Sequence, residues 1–206
     1  MMALGILAAI GLSACARNDV LYLYVAKSWP HIETAASTVR VVQLRPFVED
    51  FARNEIVGEQ ILSGRGRLVL KTAKSSVSQA LDDAIRHKFQ LAGMEPISGP
   101  AWDRTVEGLS QLAPAANMIM DGRITNFWID AQTGLTHTKL KTAMELEWTV
   151  GLPSGKIVHQ SLQVNKEIVK LSSAAHMLDE AAGELIAEAA EEAIRKLTGA
   201  DLFKEL

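Results

Sequence analysis

The sequence predicts an α+β fold: a mostly antiparallel sheet with two main helices packed on one face. Three observations predict it. Residues 139–150 alternate apolar and polar side chains more cleanly than any other stretch, the pattern of a strand with one wet face. Residues 77–92 and 172–197 repeat apolar side chains at helical spacing. The order of elements is strand, strand, helix, short strand, three strands, helix, with no internal repeat.

A short strand is expected around residues 21–25. The folded domain is expected from Val39, where Val39, Val41, Gln43 and Arg45 alternate with Arg40, Val42 and Leu44 until Pro46 ends the strand. Residues 49–66 read as a long polar connection, either a functional ordered loop or a disordered segment. Leu68, Val69 and Leu70 suggest the next strand. Ser75 and Ser76 are N-cap candidates for a helix whose stripe is Val77, Leu81, Ile85 and Phe89, with Gly93 placed to end it. Residues 94–98 suggest a short strand and residues 102–112 a short helix carrying Val106, Leu109 and Leu112. In residues 116–129, Met118, Met120, Gly122, Ile124 and Trp128 fall on one face of a strand. Pro153, Ser154 and Gly155 mark a hairpin turn between residues 140–150 and 156–169, and the short connection near residues 132–137 makes all three strands a meander. The last helix buries Leu178, Ala182, Leu185, Ala189, Ala193 and Leu197, exposes Asp179, Glu180, Glu184, Glu188, Glu191 and Glu192, and ends at Gly199.

The composition fits one domain of an ordinary globular protein: 206 residues, 48% hydrophobic, 22% charged. A net charge of −3 without a Lys/Arg cluster argues against nucleic acid and against electrostatic attachment to an anionic membrane.

The N-terminus is the most specific feature. Leu4, Ile6, Leu7, Ala8, Ala9, Ile10 and Leu12 form an apolar run of signal-peptide length, too short to span a bilayer, which takes about 20 residues. No Lys or Arg precedes it. The run ends in Leu12, Ser13, Ala14 and the only cysteine, Cys15, with polar residues following. These four residues resemble the lipobox of bacterial lipoproteins. The resemblance implies cleavage after Ala14 and lipid on the Cys15 thiol, and Ala16, where an aspartate would favour the inner membrane, implies the outer membrane facing the periplasm. It also accounts for an unpaired cysteine in an exported chain. Multiple acyl chains, at about 0.8 kcal/mol per buried methylene, would make the anchor stable. The organisation expected is a signal peptide at 1–14, a lipidated anchor and tether at 15–38, and one α+β domain at 39–206.

Beyond the lipobox, residues 39–44 (Val-Arg-Val-Val-Gln-Leu) with Asp50, Arg53 and Gly58 behind them, and Asp121-Gly122-Arg123-Ile124 between a helix and a hairpin, resemble the YajG-like family of small envelope lipoproteins. That resemblance implies a location and a fold more than an activity. Related small α+β domains serve as assembly factors and as auxiliary subunits of transport systems.

No catalytic constellation emerges. The five histidines (His31, His87, His137, His159, His176) are dispersed without metal-ligand spacing, so they read as surface or capping residues and no metal is expected. Gly64, Arg65, Gly66 and Arg67 lack the lysine and hydroxyl of a phosphate-binding loop. Asp82 and Asp83 are helix neighbours pointing apart, read as a solvated face, and Glu145 and Glu147 continue a row with Lys139 and Lys141 along a wet strand. The expectation is a non-enzymatic protein without cofactor, an accessory or structural subunit of an envelope assembly. A carrier of lipid or a small ligand, with its pocket between the long helix and the sheet, is the alternative. For Phe127, Trp128 and Trp148 two readings stand: they fill the core, or they anchor a protein partner.

Overall fold

In the computed structural model, residues 20–23, 40–51, 55–63, 66–73, 76–99, 102–111, 116–171 and 176–199 are described. Leu12, Ser13, Ala14 and Cys15 lie outside them, as do the N-cap expected at Ser172 and the side chain of Leu197.

One strand organises the sheet. The strand β7 (Ala116–Thr133) runs for 18 residues. On one side it pairs antiparallel with β8 (Thr138–Gly151), which pairs antiparallel with β9 (Ile157–Lys170). This is the meander expected from the turn signals. On the other side no single strand matches its length. Instead β2 (Arg40–Leu44), β3 (Val48–Glu49) and β4 (Ile56–Leu62) ride along it in succession, all parallel to it. Outside β2 lies β6 (Met94–Ser98); outside β4 lie β5 (Gly66–Thr72) and then β1 (Val20–Leu23). Thus β1, within the segment expected as the tether, is an edge strand with Leu23 fully buried.

The sheet is therefore mixed, not mostly antiparallel: five of its eight pairings are parallel. Parallel partners cannot be joined by a tight turn, so no turn signal announces them. Residues 49–66, expected as one long connection, instead contain β4 and the end of β3. The β4 pattern is masked in the sequence because Gln60 points into the core, where its Nε2 donates to Thr133 Oγ1 at 2.8 Å.

Both helices bury their stripes in one core with the inward side chains of the sheet. Helix α1 (Val77–Leu91) starts at Ser76, whose hydroxyl accepts the Gln79 N–H, while Glu49 from β3 accepts the Ser78 N–H at 2.8 Å. It ends before Gly93, whose φ of +76° suits a residue without Cβ. Two α1 side chains depart from expectation. His87 is buried rather than at the surface. Asp82 is half-buried rather than on a solvated face: its Oδ1 accepts the Phe47 N–H at 3.0 Å, fastening α1 to the chain between β2 and β3.

Helix α2 (His176–Gly199) packs on α1, β8 and β9. Its buried alanines (Ala181, Ala182, Ala189, Ala190, Ala193) allow close approach, with Leu178 and Leu185 filling the seam. Part of its acidic side, expected to be solvated, is a clasp instead. Lys166 of β9 lies 3.3 Å from Glu184 and 3.2 Å from Glu188, and Lys170 lies 3.3 Å from Glu180. Burial pulls the Lys166 ammonium down, but the two glutamates outweigh it and hold it above its ordinary value. Glu191 pairs with Lys88 of α1 at 2.7 Å. Within residues 102–111 the expected helix is a short 3-10 turn, Glu107–Gln111, and Val106 is exposed; Leu112 lies outside the described residues.

Burial pushes the Asp82 carboxyl up to about 6, although the Phe47 N–H and Arg86 favour its charged form. A folded-state value above the unfolded one means that the folded protein holds this proton more tightly. The resulting stabilisation is complete below pH about 4 and is lost as pH rises through about 6. Asp82→Asn keeps the acceptor and removes the charge. Urea denaturation should find the variant about 1–2 kcal/mol more stable than the parent at pH 8, with no gain at pH about 4. An identical pH slope in both proteins would contradict this.

Candidate functional site

The face of the sheet opposite the helices is largely open on β7, β8 and β9, and its side chains fall in cross-strand rows fixed by the register. From one end they are Ile119–Gly151–Ile157, Asp121–Thr149–His159, Arg123–Glu147–Ser161, Asn126–Glu145–Gln163, Trp128–Ala143–Asn165 and Asp130–Lys141–Glu167.

The change of parity between Arg123 and Asn126 comes from a bulge at Thr125, where the register with β8 shifts. Before it, Met118, Met120 and Ile124 point to the helices; after it, Phe127, Ile129 and Ala131 do. Simple alternation puts Trp128 with Met118 and Ile124, but the extra residue sends Trp128 to the outer face and Phe127 inward. Phe127 is 1% exposed and Trp148 is 2% exposed, both within the main core. Of the three aromatics considered as partner anchors, only Trp128 stands on the outer face. It is partly buried there, beside a depression of about 450 Å³ opened by the small Ala143 and flanked by Asp130, Lys141 and Glu167.

A second depression, of about 410 Å³, lies toward the other end and is lined by Arg104, Arg123, Glu147, Thr149, His159 and Ser161. Arg104 comes to its wall from the segment 102–111, which folds over the outer face. Gly151 makes this possible. A Cβ there would lie 2.3 Å from Leu109 and 2.7 Å from Trp102, so only glycine lets the pair lie flat on the sheet with Ile119 and Ile157. Asp103 accepts both the N–H and the hydroxyl of Thr105, which hold its carboxyl below the usual range, and the Thr105 hydroxyl in turn accepts the Gly108 N–H.

The same segment delivers Arg104, whose φ of +63° is unusual for a side-chain-bearing residue. The compensation is Asp121, 5% exposed, whose Oδ1 takes Arg104 Nη2 at 2.6 Å and whose Oδ2 takes Arg45 Nη1 at 3.1 Å. Arg45 also donates to the Trp102 carbonyl. A carboxylate taken out of water needs such partners. Next to it Arg123 donates two hydrogen bonds to Glu147 Oε2, at 2.8 and 2.7 Å, and one to Asp50 at 3.2 Å; Glu147 holds the guanidinium above its ordinary value. In the sequence Asp50, Asp121 and Arg123 carry only a family resemblance and Glu147 only a wet strand face; their pairing is not legible there, because strands that pair over long separations bring the partners together.

Thr149 Oγ1 and His159 Nδ1 are 2.8 Å apart. A nucleophile–base pair needs a third group to orient the base. The carboxylate in their row, Asp121, has both oxygens committed to arginines, so this row does not form a relay. Among the described residues no three His, Cys, Asp or Glu side chains are grouped to hold a metal, and no helix is long and apolar enough to cross a membrane.

No family model and no curated protein matches the chain. Solved structures do. Protein XCC0632 from Xanthomonas campestris, of the DUF330 family, aligns with a TM-score of 0.51 over 89% of this chain and 95% of its own, at 11% identity. The hypothetical protein CT253 from Chlamydia trachomatis aligns with a TM-score of 0.51 over 78% and 96%, at 10% identity. Rare lipoprotein B from Shewanella oneidensis is a looser match, with a TM-score of 0.41 over 81% and 100% at 11% identity. The first two share the fold.

Removing the Asp121 carboxylate leaves Arg104 without the partner that compensates its backbone. Asp121→Ala should cost about 2–3 kcal/mol and speed amide exchange across 102–111. If exchange there is unchanged while stability falls, Asp121 does not hold that segment.

Proposed function

We propose that this chain is a non-enzymatic bacterial envelope lipoprotein, held at the outer membrane by lipid on Cys15 and facing the periplasm. It works as an accessory subunit that presents the outer face of β7–β9 to a protein partner. The observation that carries the docking half of this reading is Trp128. An aromatic side chain beside a depression, ringed by charged side chains, on the face opposite α1 and α2, has the anatomy of an interface anchor with a polar rim. The anchoring half rests on Leu12, Ser13, Ala14 and Cys15 and on their resemblance to a lipobox. The likeness to YajG-like lipoproteins at residues 39–44 and 121–124 is part of the same reading.

Strength at such a face comes from few residues, so the effect of one substitution should be large. In membranes solubilised from producing cells, Trp128→Ala should reduce the retained partner about tenfold or more, with stability changed by no more than about 1 kcal/mol. Metabolic palmitate should label the parent protein and leave Cys15→Ala unlabelled and released from the membrane. A stoichiometric partner that is indifferent to Trp128→Ala would overturn the docking face. An unlabelled parent protein would overturn the anchor.

A further inference from the structure

Strand edges invite pairing, and this sheet protects its edges unequally. At one edge β1 is only four residues long; at another β6 is five residues long and contains Pro96. The outer edge of β9 is different. It runs for 14 residues without proline or glycine, its register with β8 never shifts, and no strand covers it among the described residues. Its inward-pointing lysines, Lys166 and Lys170, would normally deter a neighbour. Here glutamates of α2 neutralise both.

Which backbone groups face outward follows from the hairpin. The Leu152 N–H donates to the Lys156 carbonyl at 2.9 Å, so in the unbroken ladder the even residues of β9 bond β8 and the odd ones face the open edge. The Ser161 carbonyl confirms the parity, since it is taken by Lys196 of α2 at 2.9 Å rather than by a strand.

The sequence of β9 reads Ile-Val-His-Gln-Ser-Leu-Gln-Val-Asn-Lys-Glu-Ile-Val from 157 to 169. In its apolar and polar pattern it is a palindrome about Gln163. Two aliphatic residues stand at each end, then a histidine mirrors a glutamate and a glutamine mirrors a lysine. Serine then mirrors asparagine, and leucine mirrors valine.

We propose that two copies of this chain join through β9, antiparallel about a two-fold axis at Gln163, to make one continuous sheet. In that register His159 faces Glu167 of the partner subunit and Gln160 faces Lys166 of the partner subunit. Ile157 and Val158 meet Val169 and Ile168 of the partner subunit, and Leu162 meets Val164 of the partner subunit. Val169, 60% exposed in the single chain, gains an aliphatic neighbour. The odd residues of one copy meet the odd residues of the other, so every outward N–H finds a carbonyl. At Ser161 the oxygen's second lone pair remains for the incoming N–H of Asn165 of the partner subunit. Neighbouring registers lose this match: centring on Val164 sets Lys166 against Leu162, and centring on Leu162 sets it against Val158. The interface is isologous and therefore closes at two copies.

The proposal is independent of the lipid anchor and of the Trp128 face, and its test removes the anchor. In the full chain carrying Cys15→Ala, Gln163→Cys supplies the only thiol. Across the axis its Cα would lie about 5.5 Å from its symmetry mate, within disulfide reach. Mild oxidation should link two copies at position 163, whereas His159→Cys, several residues from the axis, should not self-link. Sedimentation of the Cys15→Ala chain should give twice the chain mass. His159→Glu, which sets like charges opposite each other, should weaken association about tenfold, and adding Glu167→His should restore it. A monomer at about 100 µM would overturn the proposal. So would a dimer that links equally well at 159, or a Gln163→Cys thiol captured only by a different protein.

Discussion

The structure depends on satisfying both edges of β7. Over 18 residues this strand presents backbone donors and acceptors on two sides, and each buried one requires a partner. On one side β8 supplies them along nearly the whole length. On the other, three short strands share the work, and the turns between them become the structural joints. Arg45 follows β2 and reaches Asp121; Glu49 ties to the first turn of α1 and Phe47 to Asp82 in its second; Asp50 follows β3 and meets Arg123. The relay along β7 therefore places the charged groups of the outer face and also seats the first helix.

The two faces of the sheet divide the labour. The inner face and the helices make one core, with α2 brought close by its alanines and locked to β9 by its glutamates. The outer face carries ion pairs that run between strands, such as Lys139 to Glu167 at 2.7 Å. Exposed pairs of this kind add little stability, on the order of 0–1 kcal/mol each. Their consequence is a polar surface from which Trp128 stands apart. The Thr125 bulge decides this, since one residue fewer would exchange the positions of Phe127 and Trp128.

Local features were legible in the sequence. The β7–β9 meander, the Ser76 cap, the Gly93 stop and the stripes of both helices follow from periodicity and turn chemistry, which act over a few residues. Non-local pairings were not. Parallel β2, β3 and β4 are short, and β4 buries Gln60, so its pattern looks polar. The bulge has no side-chain signature, because Thr125 suits a regular strand as well as an irregular one. Asp82, Arg104 and Asp121 acquire meaning only from partners on other elements, and a sequence window sees none of them. The N-terminal residues that best suggest location lie outside the described fold, and the fold shared with XCC0632 and CT253 carries architecture without activity.

A docking surface on the outer face of β7–β9 would be occupied when the protein is at the membrane. Hydroxyl-radical footprinting of intact membranes and of the purified chain tests it directly. Trp128 should be oxidised in the purified protein and protected in membranes, with the buried Trp148 unreactive in both. Equal oxidation of Trp128 in the two preparations would contradict it.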